Sequence, residues 1–437
     1  MKSFIIRRAS VVSALTLTAA ALATAVSSSA QAAPYDEAFY TPPAQLPSAN
    51  GQVIRSEPQK LAVTIEGQDG GAPGTGTRIM YKSTDAAGRA VAVTGSYLEP
   101  AKRWTGSGPR PLVAFAAGTQ GQGDLCAPSK QLSSTIDVRP GALSAGYEVP
   151  AIYGLLDQGI AVVVTDYIGL GTPDRLHTYT TRTDVGNALL DAARAARNLP
   201  GTSLTSSSPI GLYGYSQGGG ATGAAAELAP SYAPELNIKG AYVGAPPADL
   251  LAVLKKVDGT LLTGVIGYAI NGLLEYSPEL RTILDRETNQ AGKDALAKVQ
   301  TQCTVDTALG FGFKKTSEWT TSGKSAAEVV EENPAALAIV EKQRLGKVKA
   351  GVPTLVVTGT QDDIVDHAQA KKVAQNWCSL GSKVEYAPAI QVVGTGGTGL
   401  NHITPIFSEA GKARSYLIDR FNGESAPSNC ALLPILP

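Results

Sequence analysis

The sequence predicts an α/β protein with a mostly parallel central sheet, on two observations. Five short runs are apolar on both faces, as buried parallel strands are: Pro111–Ala116, Ile160–Thr165, Pro209–Tyr213, Ile238–Val243 and Pro353–Thr358. Amphipathic helical stretches alternate with these runs, at Thr183–Arg197, Gln217–Leu228 and Asp366–Trp377. Such alternation is typical of a sheet whose strands are joined by crossover helices.

The first 32 residues have the pattern of a signal peptide. Basic residues occupy positions 2, 7 and 8, an apolar run follows from Val11 to Val26, and Ala30-Gln31-Ala32 supplies the small residues of a cleavage site. No later segment holds about 18 uninterrupted apolar residues, the length of a membrane span. We therefore expect residues 1–32 to be removed and the mature chain to be secreted.

The chain before the parallel strands predicts an antiparallel flank to the sheet. Residues from Pro34 to about Ser56 are Pro-rich and aperiodic, which is typical of an extended arm. In Leu61–Glu66, Thr77–Ser83 and Ala90–Leu98, β-branched and apolar residues alternate with polar ones. Antiparallel strands with one face in water have this pattern.

Residues 248–346 contain no convincing strand. Their patterns are those of amphipathic helices, at Leu250–Val257, Gly259–Leu274, Pro278–Asp285 and Ala326–Leu345. We interpret this segment as a helical cap inserted between two parts of one sheet domain, residues 33–247 and 347–437. The apolar stretch from Leu261 to Ile270 either belongs to the core, the simpler interpretation, or lines an apolar substrate tunnel.

The balance of charged residues narrows the classes of ligand that the chain is expected to bind. With 37 basic and 37 acidic residues and no basic stripe, the chain is not expected to bind nucleic acid, and small molecules or neutral lipids fit better.

Four cysteines in an exported chain predict two disulfides, for which the sequence leaves three pairings open. They are Cys126, Cys303, Cys378 and Cys430. No metal-site spacing accompanies them, and we expect neither a metal nor a cofactor.

The segment Gly214-Tyr215-Ser216-Gln217-Gly218 is a G-x-S-x-G that follows a predicted strand and opens a Gly- and Ala-rich helix. Glycines two residues before and after the serine allow strand and helix to approach at so sharp a turn. At the helix N-terminus, the Gln217 N–H and the helix dipole can stabilise an oxyanion. We predict that Ser216 is a catalytic nucleophile.

A serine hydroxyl needs a base, which is nearly always histidine, and the chain has three histidines. His177 precedes the nucleophile, whereas the base follows it in folds with this turn. His367 lies too close to Asp362 to occupy a separate loop. His402 follows the predicted last strand, Val384–Ala387, in a Gly-rich loop before a helix. His402 is therefore the predicted base.

The acid that orients this base is expected after the strand Pro353–Thr358. Three carboxylates compete there: Asp362, Asp363 and Asp366. Asp362 falls at the strand-to-helix turn and is the preferred candidate. Asp363 resembles a solvated neighbour and Asp366 resembles a helix N-cap.

A second oxyanion donor is expected in the loop after the strand Pro111–Ala116. This loop, Ala117–Gly123, is rich in glycine, which leaves its backbone N–H groups free to converge. Thr119 and Gln120 are the two candidates, and the sequence does not choose between them.

Five segments have distinctive sequences: Asp124–Ser129, the elbow Gly214–Gly218, Ser231–Ile238, Gln361–Val365 and Asn401-His402. Together they resemble the secretory lipase family of the α/β-hydrolase superfamily. The elbow is generic, whereas the first and third segments are more specific. The resemblance extends from about Tyr35 to Cys430, nearly the whole mature chain.

The resemblance implies an α/β-hydrolase fold with a helical cap and a flap. It implies hydrolysis of carboxylic esters or triacylglycerols by a triad of Ser216, Asp362 and His402. It also implies the disulfides Cys126–Cys303 and Cys378–Cys430, the first of which would tie cap to core. The loop from Ala117 departs from the tyrosine-type oxyanion loop of this clan.

Other functions fit parts of the same pattern. An exported aminopeptidase would need a carboxylate for the substrate's ammonium group, and Glu275, Glu279 and Asp285 are candidates. Acyl transfer to an alcohol needs only a nucleophile other than water. A non-catalytic envelope binding protein would leave Ser216 unreactive. We expect a monomer that meets ester substrates, with transient contact to a lipid interface.

Overall fold

The computed structural model describes residues 36–62, 73–134, 136–139, 142–390 and 393–437. The predicted signal peptide lies outside these residues, as does most of the predicted strand Leu61–Glu66, whose first two residues are not in a strand. Within the described ranges, the helices are all too short or too polar to cross a membrane.

The strands, in chain order, are β1 (Val53–Gln59), β2 (Gly74–Thr84), β3 (Ala90–Pro100), β4 (Leu112–Ala116), β5 (Ile136–Arg139), β6 (Ala142–Ala145), β7 (Ala161–Thr165), β8 (Ile210–Tyr215), β9 (Ile238–Gly244), β10 (Thr354–Gly359) and β11 (Val384–Ala389). Nine of them form one sheet in the order β1-β2-β3-β7-β4-β8-β9-β10-β11. Strands β1 to β3 and the β3–β7 pair are antiparallel, and the neighbours from β7 to β11 are parallel. The predicted parallel sheet with an antiparallel flank is confirmed, and β5 and β6 form a separate hairpin.

Strand β4 illustrates why the central strands are apolar throughout. Its five residues are all 0% exposed. Leu112, Ala114 and Ala116 pack into a cluster on one face of the sheet, whereas Val113 and Phe115 pack into the cluster on the other. Because helices cover both faces, neither face of the strand can be polar.

The helices, in chain order, are α1 (Pro128–Gln131), α2 (Val149–Leu156), α3 (Arg182–Asn198), α4 (Gln217–Tyr232), α5 (Leu250–Val257), α6 (Val265–Leu274), α7 (Pro278–Glu287), α8 (Gln290–Val299), α9 (Thr304–Phe311), α10 (Ala326–Glu332), α11 (Pro334–Glu341), α12 (His367–Ser379), α13 (Leu400–Ser408) and α14 (Ala410–Phe421). Helices α5 to α11 lie between β9 and β10, in residues 248–346, which we call the cap segment. All of these residues are described, and they contain helices but no strand.

The edge of the sheet differs from the prediction. The extended arm expected up to Ser56 ends earlier, because Val53–Gln59 forms β1 and pairs antiparallel with β2. Its side chains are mostly half-buried or exposed and include Pro58. An edge strand tolerates proline and polar residues, since only one side of it is hydrogen-bonded. The pattern therefore lacked the apolar alternation by which the other strands were found.

The cap segment is more broken than the prediction. Helix α6 begins at Val265 rather than Gly259, because Gly259 has a φ of 82° and the Thr260 and Thr263 hydroxyls donate to the Val257 carbonyl in a turn. The stretch predicted as Ala326–Leu345 divides into α10 and α11 at Asn333-Pro334, where asparagine caps the second helix. Helices α1, α2, α8, α9 and α14 and the β5–β6 hairpin were not predicted.

Two disulfides join distant parts of the chain, in the pairing that the resemblance implies. Cys126–Cys303 spans 177 residues and Cys378–Cys430 spans 52. The first connects the cap segment to the loop after β4. Beside it, the Thr304 N–H donates to the Gln120 carbonyl over 2.9 Å, and Gly121 forms a β-bridge with Cys303. The cap segment is thus fixed to the loop that was predicted to hold an oxyanion donor.

Candidate active site

Ser216 lies at the turn between β8 and α4, with a φ of 58° and a ψ of −122°. A positive φ is uncommon for a residue with a Cβ and is found where the surrounding structure enforces it. A Cβ on Gly214 would lie 2.2 Å from the Gly218 carbonyl oxygen, and one on Gly218 would lie 2.0 Å from that of Ala116. The turn therefore requires both glycines, as its sequence predicts.

The three residues predicted as a triad are hydrogen-bonded in a row. The Ser216 hydroxyl oxygen is 2.8 Å from His402 Nε2, and His402 Nδ1 is 2.7 Å from Asp362 Oδ2. Ser216, Asp362 and His402 follow β8, β10 and β11, so they meet at the carboxyl edge of the parallel strands. This is the edge at which open α/β sheets bind their ligands. His402 was predicted in the loop before a helix, but it is the third residue of α13, because the loop already ends at Gly399, whose φ is 81°.

Hydrogen-bond partners fix the direction of this row. An ionised carboxylate only accepts, so His402 Nδ1 donates to Asp362 and Nε2 is left to accept from the Ser216 hydroxyl. The other oxygen of Asp362 accepts from the Ile364 and Val365 N–H groups over 2.9 and 2.8 Å. The carboxylate is buried and its orientation is set from both sides. The imidazole is therefore held in the tautomer that can take a proton from serine.

The two competing carboxylates have other partners. Asp363 is buried, and it accepts from the Gly399 N–H (2.8 Å) and the His402 N–H (3.2 Å) at the start of α13. Its interpretation as a solvated neighbour was wrong, because its two oxygens accept from free N–H groups at the N-terminus of the helix that carries His402. Asp366 accepts from the Ala368 N–H and caps α12, as predicted.

The other two histidines have hydrogen-bond or charge partners other than Ser216. His177 is fully buried: its Nδ1 donates to the Ile168 carbonyl (3.1 Å), and its Nε2 accepts from the Gln217 side-chain amide (3.0 Å). Burial lowers the pKa of His177 to about 4, so its ring is neutral near pH 7. His367 begins α12, is half-buried, and its Nδ1 lies 3.6 Å from Asp366 Oδ1.

Two of the three candidate oxyanion donors, Gln217 and Thr119, line a pocket together with Ser216. Gln217 is the first residue of α4, and the first N–H groups of a helix have no intrahelical acceptor. Gln217 and Thr119 line the same pocket as Ser216, whereas Gln120, which is also described, does not. Of the two candidates in this loop, Thr119 has the better position.

An apolar pocket of about 330 Å³ extends from Ser216 and His402 into the cap segment. Its walls come largely from α5 to α8 and include Leu254, Leu262 and Ile266. The apolar stretch of 261–270 is therefore both core and lining, and the simpler interpretation as core alone was incomplete. Among the residues that the structure describes, no group of His, Cys, Asp or Glu side chains is arranged to hold a metal ion.

Three polar residues at this site were missed by the sequence analysis. The Tyr215 hydroxyl donates to the His402 carbonyl over 2.8 Å, and its place within the G-x-S-x-G could have singled it out. Tyr147 and Glu148 bond to the backbone of Thr119 and Gly118. They lie about 30 residues from this loop in sequence and carry no local signal.

A serine elbow at the end of a parallel strand, followed by an aspartate and a histidine after later strands, defines an α/β-hydrolase. The sequence profile of the secretory lipase family matches residues 134–429, more than half of the chain. The protein therefore belongs to the secretory lipase family, and it is a carboxylic ester hydrolase.

Similar proteins extend this assignment over most of the chain. Lipase 5 of Candida albicans is 28% identical over 415 residues, which cover 91% of this chain and 83% of that protein. A protein of Mycobacterium tuberculosis described as a probable inactive lipase is 29% identical over 355 residues, covering 81% of this chain and 76% of its own. The crystal structure of Candida antarctica lipase A superposes with a TM-score of 0.74 at 24% identity, covering 92% of this chain and 89% of that one. This last likeness shows the shared fold.

Proposed function

We propose that the protein is a secreted serine lipase, which hydrolyses triacylglycerols and other fatty-acyl esters. The observation that carries the proposal is the hydrogen-bonded row of Ser216, His402 and Asp362 at the mouth of an apolar pocket. Secretion is supported by the family's name and by the signal-peptide pattern of residues 1–32. Residues 248–346 would act as a cap on a core of 33–247 and 347–437.

In the first half of the proposed reaction, His402 Nε2 takes the Ser216 proton while the serine oxygen attacks the ester carbonyl carbon. The carbonyl oxygen becomes an oxyanion that accepts from the Gln217 and Thr119 N–H groups. Asp362 stabilises the imidazolium without taking its proton. The imidazolium then protonates the alcohol oxygen as the carbon–oxygen bond breaks, and an acyl-enzyme remains.

In the second half, water replaces the alcohol. His402, neutral again, takes a proton from water while the water oxygen attacks the acyl carbon of Ser216. The same backbone N–H groups donate to the second oxyanion. Its collapse releases the fatty acid and returns the proton to the serine oxygen. The cycle needs no group beyond the side chains and N–H groups named here.

The pocket supports a fatty-acyl substrate. Its lining from the cap segment is mostly apolar and includes Leu254, Val265 and Ile270. An aminopeptidase would need a free carboxylate there, but Glu275 pairs with Arg89 over 2.7 Å, and the exposed Glu279 and Asp285 do not line the pocket. The wall does contain Glu287, whose carboxylate pairs with Arg286 over 2.7 Å.

An exposed apolar patch beside the pocket supports contact with a lipid surface. Leu400, Ile403 and Phe407 lie three or four residues apart on α13, so they share one face of that helix, and each is 42% to 52% exposed. Ile403 also lines the pocket, which makes the patch continuous with the pocket mouth. The chain has zero net charge, which suits a neutral lipid surface better than an anionic one.

The patch is tested with Phe407→Ser against Leu432→Ser, which removes an equally exposed apolar side chain near the C-terminus. Phe407→Ser should lower hydrolysis of a triacylglycerol emulsion several-fold, while hydrolysis of dissolved p-nitrophenyl acetate stays unchanged. Equal emulsion rates for the two variants would exclude the patch as a lipid contact.

The proposed activity is tested with p-nitrophenyl esters from acetate to palmitate, using the secreted protein and Ser216→Ala. We expect hydrolysis with a maximum at long acyl chains and its loss in the variant. A maximum at acetate would make the protein a short-chain esterase. Hydrolysis that persists in Ser216→Ala would refute the nucleophile. A folded protein that cleaves no ester would turn the search to amino-acid anilides.

A further inference from the structure

Glu148 is a buried carboxyl group beside the loop that follows β4. Its side chain is 5% exposed, and it precedes α2 without capping that helix. One oxygen accepts from the Gly118 N–H over 2.6 Å, and the other has no partner among the described residues. A buried carboxyl with so little hydrogen bonding is costly to the fold. Its polar contact is with the loop, so the loop is where its effect is expected.

The loop backbone is held at two peptide groups, one on each side of the peptide that carries the Thr119 N–H. Glu148 accepts from the Gly118 N–H, and the Thr119 carbonyl accepts from the hydroxyls of Tyr147 (3.0 Å) and Thr304 (3.1 Å). Between these two fixed groups lies the Thr119 N–H. Its direction is therefore set by side chains from α9 and from the turn before α2.

The surroundings of Glu148 leave its charge uncompensated. Its electrostatic neighbours are four tyrosines, Tyr147, Tyr167, Tyr213 and Tyr242. Burial raises the pKa of each tyrosine, so all are neutral phenols, and Arg414 of α14 acts on Tyr213. Burial raises the pKa of Glu148 to about 7, and the Gly118 hydrogen bond opposes this rise. Glu148 thus changes its charge near neutral pH.

We propose that Glu148 is a positioning residue for ester hydrolysis: it holds the Gly118 N–H, and thereby keeps the Thr119 N–H directed at the oxyanion. This role rests on the proposed function, in which Thr119 donates to the oxyanion. Glu148 itself does not touch the substrate. It acts through the backbone of the loop, in the way that buried groups behind a site hold its donors in place.

The proposal predicts which kinetic constant changes. The hydrogen bond to the oxyanion is stronger in the transition state than in the bound ester, so a misdirected Thr119 N–H lowers kcat and leaves KM nearly unchanged. Removing an oxyanion donor outright costs about 100- to 1000-fold in kcat. Misdirecting one should cost less, about 10- to 100-fold.

The test compares Glu148→Ala, Glu148→Gln and the control Tyr153→Phe, with p-nitrophenyl butyrate as substrate. Glutamine keeps an oxygen that accepts from the Gly118 N–H, so it should restore most of the kcat that alanine loses. Tyr153 is buried on α2, and its hydroxyl donates to the Ala62 carbonyl over 2.6 Å, away from the loop. Its variant should lower Tm without lowering kcat.

A pH profile separates positioning from a merely structural role. The ratio of wild-type kcat to Glu148→Gln kcat cancels the titration of His402, which both proteins share. Above about pH 8 the charged acceptor is the stronger one, and the ratio should be about 3 to 10. It should fall toward one below pH 6, with a midpoint near the Glu148 pKa of about 7.

Three results would overturn the role of Glu148. They are a kcat of Glu148→Ala within twofold of wild type, equal losses of kcat in Glu148→Ala and Tyr153→Phe, and a wild-type to glutamine ratio that does not change with pH. If the alanine variant does not fold, this ratio alone decides. Ser216→Ala is measured in parallel. An inactive wild type would overturn the proposed function and this role together, whereas an active wild type with an unaffected alanine variant overturns this role alone.

Discussion

The central sheet and the cap segment differ in how deeply their residues are buried. Strands β4, β7, β8 and β10 are buried over their whole length, and the loops that follow β8 and β10 carry Ser216 and Asp362. In the cap segment, α7 buries two residues and α10 buries one. The rigid sheet can therefore hold Ser216 and Asp362 at hydrogen-bonding distance from His402, while the cap segment provides an apolar wall. We infer that core residues govern the rate for every ester and cap residues govern which ester fits.

The largest expected loss of kcat comes from a substitution in the core, at Asp362. Asp362→Asn keeps the shape of the side chain but removes the charge that holds the His402 tautomer, so kcat should fall about 10⁴-fold. The fall should be the same for acetate and for palmitate esters. Asp366→Asn, which changes only the cap of α12, should stay within twofold of wild type.

Asp363→Asn sharpens this comparison. Asp363 accepts from two N–H groups at the start of α13, and an asparagine oxygen can replace only one of these bonds. We expect an intermediate loss of kcat, about tenfold, together with a lower Tm. If kcat falls further in Asp363→Asn than in Asp362→Asn, Asp363 and not Asp362 is the acid that orients His402.

The two disulfides give the next largest effect. When Cys126–Cys303 is replaced by a pair of serines, the free energy of unfolding should fall by about 5 kcal/mol, because the disulfide closes a loop of 177 residues. The same change at Cys378–Cys430, which closes a loop of 52 residues, should lower it by about 4 kcal/mol. Only the first pair should also lower kcat, because it lies beside the bridge from Gly121 and the hydrogen bond from Thr304 to the loop after β4.

Urea unfolding and p-nitrophenyl butyrate hydrolysis, measured on the same samples, test this difference between the disulfides. If the Cys126–Cys303 variant unfolds more easily but retains full kcat, the cap segment does not help to hold the oxyanion loop. The core would then be independent of the cap in its chemistry.

The central strands and the three residues of the hydrogen-bonded row could be predicted because their signals are local. A run that is apolar on both faces identifies a strand such as β8, and G-x-S-x-G identifies the turn after it. Ser216 and Asp362 each follow such a strand. His402 follows β11, which is only partly buried, and it was chosen because the positions of the other two histidines in the chain did not suit a base. The assembly of Ser216, Asp362 and His402 into one hydrogen-bonded row then follows from the parallel register of the sheet.

Other parts of the site depend on contacts between distant segments. Glu148 reaches Gly118 across 30 residues, and Asp363 reaches the backbone of His402 across 39. Neither side chain has a neighbour in sequence that reveals its partner. The boundaries of the cap helices depend on capping by Asn333 and on the turn at Gly259, where the amphipathic pattern continues. The pocket is set by how these helices pack, which no local pattern encodes.

The smallest expected change in kinetics comes from a substitution in the cap segment. It tests whether cap residues govern which ester fits. Ala295 on α8 is buried and lines the pocket, whereas Ala297, two residues further along the same helix, is exposed. Ala295→Phe places a ring in the space proposed for the acyl chain, so the kcat/KM for palmitate should fall about tenfold relative to that for acetate, in the range of a lost apolar contact. Ala297→Phe adds the same ring outside the pocket and should leave this ratio unchanged. A ratio that falls equally in both variants, or in neither, would mean that acyl chains do not enter this pocket. A loss of acetate hydrolysis in Ala295→Phe would instead mean that the cap segment also shapes the chemistry, which the comparison with the sheet assigns to the core.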